Sequence, residues 1–151
     1  MNDSAQARDL LIELTEKGHR VPFKLTGRSM LPLIAPGDLI LLEKADPASL
    51  GLGELVVFET DEGFSAHRIV RRRQTREGWQ LQTACQKARI LDPWIPATRI
   101  MGRAVEIEGA CPNNTRRPAP SGWRAALWAR SIRILCKLHD LRARLSRSDF
   151  R

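Results

Sequence analysis

One hydroxyl and one imidazole carry the chemistry that this sequence could perform. Ser29 stands in the segment Gly27-Arg28-Ser29-Met30-Leu31-Pro32, ahead of a Pro36-Gly37-Asp38 turn and the aliphatic run LILLE. A serine hydroxyl is a poor nucleophile until a neighbouring base accepts its proton. Of the three histidines, His19 follows the first helical pattern and His139 lies in a basic C-terminal stretch, where surface roles suffice. His67 instead sits inside the strand-like run FSAHRIV, directly after Asp61-Glu62-Gly63. Taken alone, either residue has a bland reading: Ser29 as loop chemistry, His67 as a half-exposed strand position. Taken together, in this order and turn context, they point to a nucleophile and its base.

The elements that must position the pair are short. Residues 7–18 place Leu10, Leu11 and Leu14 at helical spacing, with Gly18 as a stop. From Phe23 onward the texture changes to aliphatic runs cut by turn residues: LILLE, LVVFET, FSAHRIVRRR, WQLQTA and IMGRAVEIE. Such spacing predicts a mainly antiparallel β domain. The Asp-Glu-Gly and Arg-Glu-Gly links predict hairpins between successive strands. Residues 110–122, rich in proline and asparagine, read as a connecting stretch. Residues 123–147 then form a basic amphipathic helix. On a wheel, Leu127, Trp128, Ile134, Leu135, Leu138, Leu141 and Leu145 share one side, opposite Arg130, Arg133, Lys137, Arg144 and Arg147. The expected organisation is therefore a β domain over residues 1–112, a linker over 113–122 and a basic helical tail over 123–151.

Charge divides along the same line. Residues 1–112 carry 15 Lys and Arg against 15 Asp and Glu, and residues 113–151 carry 10 against 2. The excess of +8 belongs to the tail, so an electrostatic partner is expected there. The helix has three expected destinations: the β domain, an anionic membrane surface, or a protein or nucleic-acid partner. No apolar run reaches the roughly 18 residues needed to cross a bilayer. The N-terminal residues carry acids where a secretory signal would be basic and apolar. Cys85, Cys111 and Cys136 are dispersed, without CxxC or metal-ligand spacing. These features predict reduced thiols, no metal or other cofactor, and a cytoplasmic protein, peripheral at the inner face of the membrane if the tail binds lipid.

GRSMLPLIAPGDLILLE, then GLGELVVFE, AHRIV and IMGRAV, closely resembles the signal peptidase and LexA-like serine peptidase superfamily over residues 23–107. The resemblance implies an antiparallel β fold with Ser29 as nucleophile, presented by the bend between Gly27 and Pro32. It places His67 as base, where most bacterial signal peptidases and self-cleaving repressors have lysine. Histidine there is similar to the archaeal and endoplasmic-reticulum type. An imidazole works near neutrality without the strong desolvation that a lysine base requires. Histidine-type relatives also carry a Gly-Asp pair after Thr-Lys and a further aspartate. Here Cys85-Gln86 takes the Gly-Asp position, and Asp92 is the later carboxylate. Two readings of Asp92 stand side by side: a third group orienting His67, and turn initiation before Pro93.

The resemblance further implies an extended peptide or protein substrate with small side chains near the cut. Residues 7–17, holding Asp9, Glu13, Glu16 and Lys17, cannot act as the transmembrane anchor that usually precedes the serine in membrane signal peptidases. Two other functions compete with the peptidase. One is a catalytically idle peptide-binding or maturation-accessory module on the same scaffold. The other is a nucleic-acid-binding regulator acting through the arginine-rich tail, which the neutral body disfavours.

Overall fold

Strict alternation of buried side chains explains how short runs build a sheet with two packed faces. In β3 (Leu55–Thr60), Leu55 and Val57 enter one hydrophobic cluster while Val56 and Phe58 enter another. Successive residues of a strand point to opposite faces, so an uninterrupted apolar run is buried on both sides. The computed structural model describes residues 3–110 and 115–148. Within them, all strand pairs are antiparallel. The other strands are β1 (Val21–Lys24), β2 (Leu39–Glu43), β4 (Gly63–Thr75), β5 (Gly78–Ala84), β6 (Trp94–Pro96), β7 (Ile100–Glu108) and β8 (Arg116–Pro118). They form an eight-stranded sheet in the order β1-β2-β7-β3-β4-β5-β6, with β8 pairing beside β7.

The expected hairpins join β3 to β4 and β4 to β5. Gly63 and Gly78 supply the positive φ values of 131° and 115° at the two links. Three short strands escaped the sequence reading: β1, β6 and β8. Each has three or four residues, too few to display a period. β8 lies within the stretch expected to be linker, and its Arg117 pairs in register with Ile107.

The N-terminal helix α1 spans Asp3–Glu16, starting and ending before the 7–18 expected. It buries Leu11 and Thr15, and Leu11 joins the cluster that contains Met30, Ile34 and Ile40. Helix α2 (Gly122–Ser148) packs across β4. Its packing face is not the leucine stripe. Ala125, Ala129, Ile132 and Cys136 are buried, the last three of them against Val70, Ala84 and Ala88. Leu127, Ile134, Leu135, Leu138, Leu141 and Leu145 are exposed, and Trp128, expected among them, turns inward to join the buried cluster.

Close approach selected the small face. Gly53 has φ +81°, and a Cβ built there would lie 1.9 Å from the Ala125 carbonyl oxygen. Backbone against backbone leaves no room for leucine at this crossing. Among the described residues, no helix is long and apolar enough to cross a membrane.

Candidate active site

The loop between β1 and β2 holds Ser29 at its outer surface by burying its neighbour. Met30 is only 2% exposed, whereas Ser29 is exposed and Leu31 is half-buried. The Ile34 N–H donates to the Met30 carbonyl at 3.0 Å, closing the turn beneath the serine. The far end of the loop is fixed at Asp38. Its Oδ2 accepts the Ala35 N–H at 2.9 Å and its Oδ1 the Ala110 N–H at 3.0 Å. The second Gly-acid pair repeats the device: Glu54 Oε2 accepts the Gly51 N–H at 3.0 Å. In both turns a carboxylate satisfies an amide three residues upstream, and the glycine takes a left-handed φ.

β4 brings His67 to the serine. His67 pairs in register with Val56 of β3, and Phe58 meets the imidazole edge-on at 5.9 Å between ring centroids. The His67 Nε2 lies 3.2 Å from Ser29 Oγ. On the other side of the ring, Nδ1 lies 2.6 Å from Asp92 Oδ2. A carboxylate at Nδ1 favours the tautomer with its proton on that nitrogen. Nε2 then carries the lone pair that faces the hydroxyl.

Asp92 is held at three points by β5. Its Oδ2 also accepts the Thr83 hydroxyl at 2.6 Å, and its backbone N–H donates to the Thr83 carbonyl at 2.9 Å. Its backbone carbonyl accepts from Gln82 Nε2 at 2.9 Å. Thr83 is fully buried. The Asp92 carboxylate meets both His67 and Thr83, the contact that the orienting reading of Asp92 requires. Sequence reasoning placed all three of Ser29, His67 and Asp92, but assigned no task to Thr83 or Gln82.

Gln86 and Arg68 complete the support. The Gln86 N–H donates to the Ser29 carbonyl at 3.2 Å, and its side-chain oxygen accepts from Arg68 Nη1 at 3.1 Å. Arg68 is 5% exposed, donates through Nε to the Gly53 carbonyl at 2.8 Å, and lies 3.8 Å from the Trp128 ring centroid. Burial pushes its guanidinium down to about 10, well below the usual guanidinium range. A carbonyl, an amide and an aromatic face take up its donors and charge. The Cys85-Gln86 pair thus ties the Ser29 loop to β4 and, through Arg68, to α2.

Cys85 and Cys136 are free thiols; burial, then the neighbouring Cys85, pushes the Cys136 thiol up. Cys111 lies outside the described residues. A cleft of about 360 Å³ borders the imidazole, with Phe58, Ser65, Trp94 and Pro96 beside His67 and Asp92. His19 and His139 are exposed; His19 stands three residues beyond the end of α1, and His139 lies on α2.

No protein-family model matches the chain, and no curated protein matches it.

Proposed function

We propose that the chain is a serine endopeptidase on the signal peptidase and LexA-like scaffold, with Ser29 as nucleophile, His67 as general base and acid, and Asp92 as the group that orients the imidazole. The observation that carries this reading is the continuous contact of Asp92 Oδ2 with His67 Nδ1 at 2.6 Å and of Nε2 with Ser29 Oγ at 3.2 Å. Both lie within reach for a resting nucleophile and base.

In the first half-reaction Ser29 Oγ attacks the carbonyl carbon of the scissile peptide bond, and its proton passes to His67 Nε2. In this reading the backbone N–H of Ser29 helps hold the oxyanion, a contribution of about 3 kcal/mol per donor in comparable sites. As the carbon–nitrogen bond breaks, the imidazolium gives that proton to the leaving amine. A water then repeats the sequence on the acyl-serine: its proton goes to His67, its oxygen bonds to the acyl carbon, and Ser29 recovers its hydroxyl. Asp92, held by Thr83 and Gln82, stabilises the imidazolium in both halves.

The substrate class is a peptide in extended form. β1 stands at one end of the sheet and leads into the Ser29 loop. An end strand offers main-chain donors and acceptors to an added strand. The test is cleavage of a peptide panel by purified protein. Wild type is expected to generate new termini that Ser29→Ala does not. A wild type that cleaves nothing, or binds peptides equally well after Ser29→Ala and His67→Ala, would support the idle module instead.

A further inference from the structure

The outward face of α2 is built against the usual rule for a surface helix. At about 100° per residue, Leu127, Ile134, Leu138 and Leu141 fall within roughly 60° of one another, on the side directly away from the buried Ala125, Ala129 and Ile132. The helix is thus apolar on two opposite faces. One packs on the sheet, and the other is exposed: 50% at Leu127, 59% at Ile134 and 54% at Leu141. Trp123 opens the same line at 70% exposure. Beyond Cys136, every residue from 137 to 145 is exposed. A helical end of this length is marginal in water without a surface to lie on.

Charge says what that surface is. Arg130, Arg133, Lys137 and Arg144 border the stripe on one side, and Arg124 and Arg142 on the other. The apolar spacing of three and four residues would also suit a second helix of the same kind. A second copy, however, would set these cationic borders against each other at short range. Anionic headgroups reverse that sign while accepting the apolar side chains at the acyl boundary.

The neighbouring loop extends the same chemistry. Between α2 and residues 86–89 runs a groove of about 670 Å³, lined by Leu135 and Leu138 together with Lys87, Arg89 and Arg142. A lining of apolar and cationic side chains matches an anionic phospholipid, which offers an acyl chain to the first and a headgroup to the second. Ile90, next along the loop, is 77% exposed. Gln86 lines this groove and donates its N–H to the Ser29 carbonyl, so the surface abuts the Ser29 corner.

We propose that the outward face of α2, with the adjoining groove, is a docking surface for an anionic phospholipid bilayer, seating the helix in the plane of the interface and holding the Ser29 corner beside the lipid. This inference does not depend on peptidase activity, and it is tested on the Ser29→Ala chain of residues 1–151 so that proteolysis plays no part.

Flotation is measured with phosphatidylcholine vesicles prepared with and without phosphatidylglycerol. The bound fraction should rise at least about 10-fold with the anionic lipid and fall as salt is added. Ile134→Ser/Leu138→Ser/Leu141→Ser should abolish flotation while leaving the thermal melt unchanged, because these side chains touch solvent. Arg130→Gln/Lys137→Gln/Arg144→Gln should weaken partition by about 10- to 100-fold. Absence of flotation, or flotation indifferent to both triple variants, overturns the proposal. So does a dimer in sedimentation equilibrium that the serine variant dissolves, which would make a second copy the occupant. Salt-sensitive binding to nucleic acid or to an acidic peptide without vesicle binding overturns it as well.

Discussion

The Ser29 corner and the outer face of α2 resolve the same problem in opposite ways. At the corner, polar groups converge and satisfy one another: Ser29 on His67, His67 on Asp92, Asp92 on Thr83 and Gln82. On α2, apolar groups diverge toward water, bordered by cations. The first arrangement is complete within the protein, and its geometry is fixed before any substrate arrives. The second is incomplete and gains free energy only from a surface outside the chain. The two regions meet at one buried cation, Arg68, which donates to Gln86 and lies against Trp128.

The largest effect expected from breaking one side of this comparison is at the nucleophile. Ser29→Ala should lower kcat by about 10⁵- to 10⁶-fold while leaving the fold and vesicle binding untouched. Asp92→Asn should follow, with a loss of about 10⁴-fold in kcat, because the amide can present an N–H to the ring and favour the wrong tautomer. Steady-state kinetics on a cleaved peptide measures both.

The joint between the regions comes next. Gly53→Ala puts a Cβ 1.9 Å from the Ala125 carbonyl at a φ of +81°. It should destabilise the protein by about 3 kcal/mol or more, seen in urea titration, with α2 displaced from β4. The smallest effect sharpens the corner itself. Thr83→Val deletes the hydroxyl at 2.6 Å from Asp92 at nearly constant volume. It should reduce kcat about 10-fold with KM nearly unchanged, and Thr83→Ser should restore it.

Much of the corner was legible in the sequence. The Gly27–Pro32 segment, the two Gly-acid turns and FSAHRIV are each local, and the hairpin links fixed which strands are neighbours. What stayed hidden is the chain of contacts that holds the corner: Gln86 to Ser29, Arg68 to Gln86, Trp128 to Arg68. Each joins residues far apart in the chain, and neither periodicity nor turn chemistry encodes such pairings. The helix misled for a different reason. Leu127, Ile134, Leu138 and Leu141 gave the louder apolar signal, yet the helix comes close at Gly53 through Ala125 and buries the small Ala129 on the same face. A hydrophobic wheel weighs side-chain size, whereas docking at a backbone crossing rewards its absence.

The central claim is that Ser29, His67 and Asp92 act as one hydrolytic unit, and the direct measurement is mass-spectrometric mapping of new termini in a diverse peptide mixture. Wild-type protein should generate a consistent set of cleavages that Ser29→Ala and His67→Ala each eliminate. Cleavage that persists unchanged in Ser29→Ala, or a mixture left intact by wild type, would contradict the account.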